Sequence, residues 1–207
     1  MSERPSNPTI EQLRAIAQPP SVTGRSNAEH WVADLYLRRI SLYLTRILLK
    51  TPITANGVTY LMIATGISIS FALQIDGWNG LLLALFLSQL QMLWDCCDGE
   101  IARWRDIQSP KGVFLDRVGH YLTEALIPIA LAKRISENGD YELLFLGAMI
   151  SVLIVLNKGF NDSVHVARAF AQVPKIADNK EVGRQKSTVL RIARAPFRIF
   201  AVQRLFH

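Results

Sequence analysis

The chain has 207 residues, enough for one substantial domain, and half of them are hydrophobic while 19% are charged, a balance that suits a membrane protein. A net charge of +6 beside a slightly positive mean hydropathy means that apolar and basic residues are segregated along the chain. The two cysteines, Cys96 and Cys97, are neighbours, which excludes a disulfide stapling distant segments and marks them as reduced packing residues.

In chain order, residues 1–28 are polar and rich in Ser and Pro, with no apolar core before a cleavage site, and are expected to be a flexible cytoplasmic lead without a signal peptide. HWVADLYLRRISLYLTRILLK, residues 30–50, mixes apolar side chains with Arg38, Arg39, Arg46 and Lys50 and predicts an amphipathic helix lying in the membrane interface. Pro52 ends that helix and Asn56 is a candidate cap for the next. Four apolar stretches follow: Gly57 to Ile75, Gly80 to Trp94, Val118 to Ala132 and Leu143 to Leu156. Each is short for a span, since about 20 residues cross a bilayer, but the basic residues decide. Lys and Arg number seven in residues 1–50, none in 76–79, four in 95–117, two in 133–141 and ten from Lys158 onward. This alternation predicts four spans with both termini on the cytoplasmic side. Residues 29–160 then form the membrane domain, an all-α helical bundle with at least four transmembrane helices. Residues 161–207 form a basic cytoplasmic segment, whose VLRIARAPFRIFAVQRLF is amphipathic and interrupted by Pro196.

The chemistry is concentrated at WDCCDGEIARWRDIQSPKGVFLDRVGH, residues 94–120. Asp95, Asp98 and Ala102 share one helical face, and Gly112, Asp116 and His120 recur every four residues as a second stripe at the start of the next span. The short connection between them lets the stripes converge at the cytoplasmic mouth of the bundle. Three carboxylates gathered there repel, and a divalent cation relieves the repulsion. Oxygen ligands favour Mg²⁺ or Mn²⁺ over zinc. Gly99 and Gly112 let a flat base or a phosphate approach the backbone, and Arg103 can bind a phosphate through two parallel hydrogen bonds. The set describes a diphosphate-binding site. Plainer roles exist for each: Asp95 and Asp98 as helix-end charges, Arg103 as a lipid-phosphate anchor, and Arg105, Lys111, Arg117 and Lys158 as topology determinants. Asp106 and Asp162 are expected to be solvated loop charges.

These residues resemble the signature of the CDP-alcohol phosphotransferase family, Asp-x-x-Asp-Gly-x-x-Ala-Arg, eight residues, then Gly-x-x-x-Asp-x-x-x-Asp. Here it reads DCCDGEIAR, eight residues, then GVFLDRVGH, so seven of the eight defining positions match. The resemblance implies an integral membrane transferase that moves a substituted phosphate from a CDP-alcohol to an acceptor alcohol and releases CMP, as in phospholipid biosynthesis. Asp95, Asp98 and Asp116 would ligate Mg²⁺ or Mn²⁺, usually two ions, and Gly99, Ala102, Arg103 and Gly112 would line the cytidine and diphosphate pocket. It also implies a homodimer whose partners are the CDP-alcohol donor, the acceptor and membrane lipids, with no nucleic acid.

Two departures stand out. The family's fourth aspartate, credited with deprotonating the acceptor, is His120 here; neutral imidazole, with a pKa of about 6.5, can take that proton. Glu124, one turn on, is a candidate for orienting the imidazole. The family usually has six spans against the four expected here, so the remaining two either follow residue 207 or are replaced by association. The alternative to an enzyme is a catalytically silent relative serving as a nucleotide- or lipid-binding scaffold; a transporter finds little support, because the ionisable cluster sits at one face.

Overall fold

The computed structural model describes residues 4–23, 36–136 and 140–172, and among these every regular element is a helix. A short α1 (Ile10–Ala17) and the single turn α2 (Pro20–Thr23) precede α3 (Arg38–Leu48), α4 (Ala55–Ala72), α5 (Gly77–Arg105), α6 (Pro110–Ile135) and α7 (Tyr141–Phe170). The chain is an all-α membrane protein. The basic stretch at residues 189–206 and the start of the expected interfacial helix, residues 30–35, lie outside the described residues.

Local chemistry sets the helix starts. Thr9 and Gln12 form a reciprocal capping box that opens α1. The Thr54 hydroxyl, rather than Asn56, caps α4 by accepting the Gly57 N–H at 3.0 Å; Asn56 lies inside the first turn. Ser109 caps α6 in the same way, with Pro110 in the first turn where a missing N–H costs nothing. Asp140 accepts the N–H groups of Glu142 and Leu143 at the head of α7.

Three helices, α4, α5 and α7, are long and apolar enough to cross a membrane by length and composition. The fourth expected span falls in α6, which is 26 residues long but carries Asp116, Arg117, Glu124, Lys133 and Arg134, and so is less apolar than the other three. At a rise of about 1.5 Å per residue, the 29 residues of α5 measure about 44 Å against about 30 Å of hydrocarbon, so one end of α5 must emerge. The apolar part, from Gly80 to Trp94, faces outward through Leu82, Leu85 and Phe86, all more than half exposed. The charged turns from Asp95 onward are the emerging end.

α4 packs against both α5 and α6, and α6 packs against α7. Small residues permit the close approaches: a Cβ on Gly66 of α4 would lie 1.9 Å from the Thr123 hydroxyl of α6. At the bundle end away from the charged turns, Arg134 donates to the carbonyls of Leu73, Ile75 and Gly77 and so closes the α4–α5 turn. At the charged end, α3 lies against α5 through Ser41, Leu42 and Thr45, while Ile40, Tyr43 and Ile47 face outward as an apolar stripe of the kind that meets lipid.

The N-terminal lead is ordered differently from the flexible segment that its composition suggests. Leu13 and Ala17 of α1 are fully buried in a cluster with Leu42, Ile101 and Trp104. Two apolar side chains per two turns suffice to dock so short a helix on a preformed face, a signal too brief for periodicity to reveal.

Replacing Gly66 with Ala is expected to destabilise the bundle by about 1–3 kcal/mol, because Thr123 and the α6 backbone must give way. Gly159, where an added Cβ meets nothing within 4 Å, is the control; its replacement with Ala should be neutral or stabilising by up to about 1 kcal/mol. Thermal unfolding of both variants in detergent micelles checks the contrast.

Candidate functional site

The emerging end of α5 and the first turns of α6 both pack on α4, and their side chains meet beside it. Asp95 lies on α5, and Asp116 and His120 lie one turn apart on α6. His120 Nε2 is 3.1 Å from Asp95 Oδ1 and 3.5 Å from Asp116 Oδ1. One ligand atom from each of the three falls within 4.8 Å of the others, a spacing that fits a metal ion with two oxygen donors and one nitrogen donor. All three side chains are half-buried, so the cluster is open to a ligand from solution.

Asp98 is not one of this group. It is nearly buried, and its Oδ2 accepts a hydrogen bond of 2.6 Å from Thr59 of α4. Asp98 thus ties the cluster to α4, and its burial, together with the charge of Asp95, disfavours the ionised carboxylate. The sequence does not mark Thr59 as a site residue: a threonine inside an apolar run reads as packing, and only the crossing of α4 and α5 gives it Asp98 as a partner.

The Arg103 guanidinium curls back along α5 to Gly99. A Cβ on Gly99 would lie 3.0 Å from Arg103 Nη1 and 3.2 Å from Nη2, so glycine there gives the guanidinium room against the backbone. Arg103 Nε donates to the Ala17 carbonyl at 2.5 Å. Ala102 is half-buried on the same helix. Gly112 faces the head of α4, where an added Cβ would come 3.2 Å from Asn56 Oδ1. Asn56, a capping candidate by sequence, is therefore a neighbour of the Gly112 turn.

Glu124 has a nearer partner than the histidine. Its Oε1 is 3.8 Å from His120 Nδ1, longer than a hydrogen bond, and 2.8 Å from Lys158 Nζ of α7. Asp162, expected in a loop, is instead in α7, where it accepts a 2.6 Å hydrogen bond from the Tyr121 hydroxyl and pairs with Arg117. These contacts fasten α7 to the charged half of α6. Asp106 ends α5 in the left-handed conformation at φ 54° and is exposed in the α5–α6 turn, a geometry aspartate tolerates better than most residues.

A family model for the CDP-alcohol phosphatidyltransferases matches residues 52–203, most of the chain, and the protein belongs to that family. The match takes in both stripes of the site and starts after α1 and α3. No curated protein matches the chain.

The Thr59–Asp98 bond is testable by a double-mutant cycle. Thr59→Val should cost about 1–3 kcal/mol by leaving a nearly buried carboxylate without its donor. In an Asp98→Asn background the same change should cost measurably less. Reversible unfolding in mixed micelles reads both values.

Proposed function

We propose that this family member transfers a substituted phosphate from a CDP-alcohol to an acceptor alcohol, releasing CMP, in a reaction that depends on Mg²⁺ or Mn²⁺ at the cytoplasmic face of the membrane. The observation that carries the proposal is the convergence of Asp95, Asp116 and His120 from two helices beside the Arg103–Gly99 pair, within the family-matched region. The charge alternation along the sequence supports the cytoplasmic placing of the site and of both termini. The family resemblance supports a homodimer.

The donor set fits a divalent cation: Asp95 and Asp116 would hold it, joined by Asp98, the third ligand by motif position, once a cation offsets the cost of ionising its buried carboxyl. A second ion, usual in the family, would draw on the same carboxylates. Such an ion supplies charge stabilisation to the diphosphate and to the departing CMP. Arg103 would present its two terminal amines to a phosphate, and Gly99, Ala102 and Gly112 would let the nucleotide approach the helices closely. In the transfer itself the acceptor oxygen forms a bond to the phosphorus next to the alcohol, and the bond from that phosphorus to the CMP oxygen breaks. The acceptor proton goes to His120 or to water. Asp95 and Asp116, both close to Nε2, would stabilise the imidazolium that results. Glu124 would orient the imidazole through Nδ1, for which it must close its gap against the pull of Lys158.

A second reading, a silent relative that binds nucleotide or lipid as a scaffold, draws on the same histidine. A protonated His120 already bridging two carboxylates would act as an internal counter-ion where the family has a fourth aspartate.

CMP release from a panel of CDP-alcohols in membranes, followed by mass measurement of the product, separates the two. The enzyme reading expects release with Mg²⁺ or Mn²⁺ that stops on chelation. Asp95→Asn and Asp98→Asn should lower it at least about 100-fold, and His120→Asn about 10²–10⁴-fold if the histidine is the base. Full turnover and an unchanged pH profile in Glu124→Gln would remove the orienting role. CDP binding without CMP release from any donor would select the scaffold.

A further inference from the structure

The family motif leaves the position after its first glycine unassigned, and this chain places a carboxylate there. Glu100 is fully buried. It follows Asp98 by two residues, about 200° around the helix, so it points away from the Asp95 cluster and toward α3 and the N-terminal segment. A buried carboxylate is tolerated only when donors satisfy it. Ser41 Oγ donates to Oε1 at 2.5 Å, Gln18 Nε2 to Oε1 at 2.7 Å and Thr45 Oγ1 to Oε2 at 2.7 Å. The donors come from residues that precede the family match, which begins at residue 52.

The same segment holds Arg103. Ala17 is the last residue of α1, and its carbonyl has no intrahelical donor, so the Arg103 Nε–H completes the end of that helix. Glu100, three residues before Arg103, attracts the guanidinium electrostatically. The guanidinium is planar, so a fixed Nε also fixes the plane of the two Nη amines that lie beside Gly99. The clamp is fastened from the other side as well. Arg4 Nη1 donates to the terminal α5 carbonyls of Arg103 and Trp104 at 2.8 and 2.6 Å, and Trp104 Nε1 donates to the Pro5 carbonyl at 3.2 Å.

We propose that residues 4–18 are a built-in clamp that positions Arg103 for the donor's diphosphate, with Glu100 and Gln18 as positioning residues. The inference rests on the reading of Arg103 as a phosphate ligand. Without the clamp, the side chain would keep its rotamer freedom at a lipid surface rich in competing phosphates. With it, the fork is oriented before the nucleotide arrives, and immobilising one long side chain in advance is worth roughly 2–10-fold in affinity.

The test uses CDP with Mg²⁺ as the probe, titrated calorimetrically into the full chain in micelles. Gln18→Ala and Arg4→Ala, both outside the reacting groups, should raise the Kd for CDP about 2–10-fold while leaving Mn²⁺ affinity unchanged. In an Arg103→Ala background, Gln18→Ala should have no further effect, since the clamp acts only through that arginine. Arg4→Ala, on an exposed side chain, guards against loss of folding in the Gln18 variant, and thermal unfolding reports on both. CDP affinity equal to the wild type in both variants, or an equal loss with and without Arg103, overturns the proposal. If the wild type and Arg103→Ala bind CDP alike, or neither binds, the phosphate-ligand reading fails and the clamp falls with it.

Discussion

Mutual repulsion of carboxylates at the end of an apolar bundle is the constraint that organises this molecule. Asp95, Asp98 and Asp116 stand where the dielectric is lower than in water, and each must meet a donor, a cation or solvent. The structure answers them differently. Asp98 is buried and takes a hydroxyl from Thr59, whereas Asp95 and Asp116 stay half-open and share the imidazole of His120. The open pair is the more accessible to something from outside, while Asp98 is held against α4 by its hydroxyl partner.

The helices around the cluster follow from the same constraint. α5 is longer than the hydrocarbon core is thick, so its last three turns can carry charge at the boundary while the preceding five remain largely apolar. α4 has to reach both α5 and α6, and Gly66 lets it approach α6 closely enough for Thr59 and Asn56 to arrive beside Asp98 and Gly112. α7 is tied to α6 by Lys158–Glu124, Arg117–Asp162 and Tyr121–Asp162, all on the charged half of α6. Arg134 performs the equivalent service at the other end. Polar side chains thus fix the register at both ends of the bundle, and in its middle Ser151 of α7 donates to the Ala125 carbonyl of α6 at 2.6 Å.

The helical spacing made part of this visible without coordinates. Intervals of three and four put Asp95 with Asp98, and Asp116 with His120, on common faces, and the apolar runs located the helices that carry them. What spacing does not encode is which face meets which neighbour. Thr59, Glu100 and Gln18 are unremarkable in their local sequence, and become partners only because α4, α3 and α1 cross α5 at particular heights. The spacing of His120 and Glu124 suggests a pair for the same reason that it suggests any i, i+4 pair; it contains nothing about Lys158, which reaches Glu124 from α7 and is shorter in contact. The lead of residues 4–18 is polar on average, and an average hides Leu13 and Ala17, the two side chains that dock it.

The histidine is where the charge balance of the site turns. A fourth carboxylate at position 120 would bring a further negative charge and no proton donor, making the cluster dependent on cations from solution. Imidazole at the same point is neutral or positive, and when neutral it offers one nitrogen lone pair and one N–H. It can therefore bridge Asp95 and Asp116 as donor or face a cation as ligand, but the two uses compete for Nε2, which is the atom closest to both carboxylates. The Nδ1 side, facing Glu124, is the one left for orientation. A site with one carboxylate fewer has less to hold a second divalent ion and relies more on a cationic side chain for the phosphate charge. In the proposed reading a larger share of anion recognition would then fall on Arg103, the group whose Nε is already fixed by the end of α1.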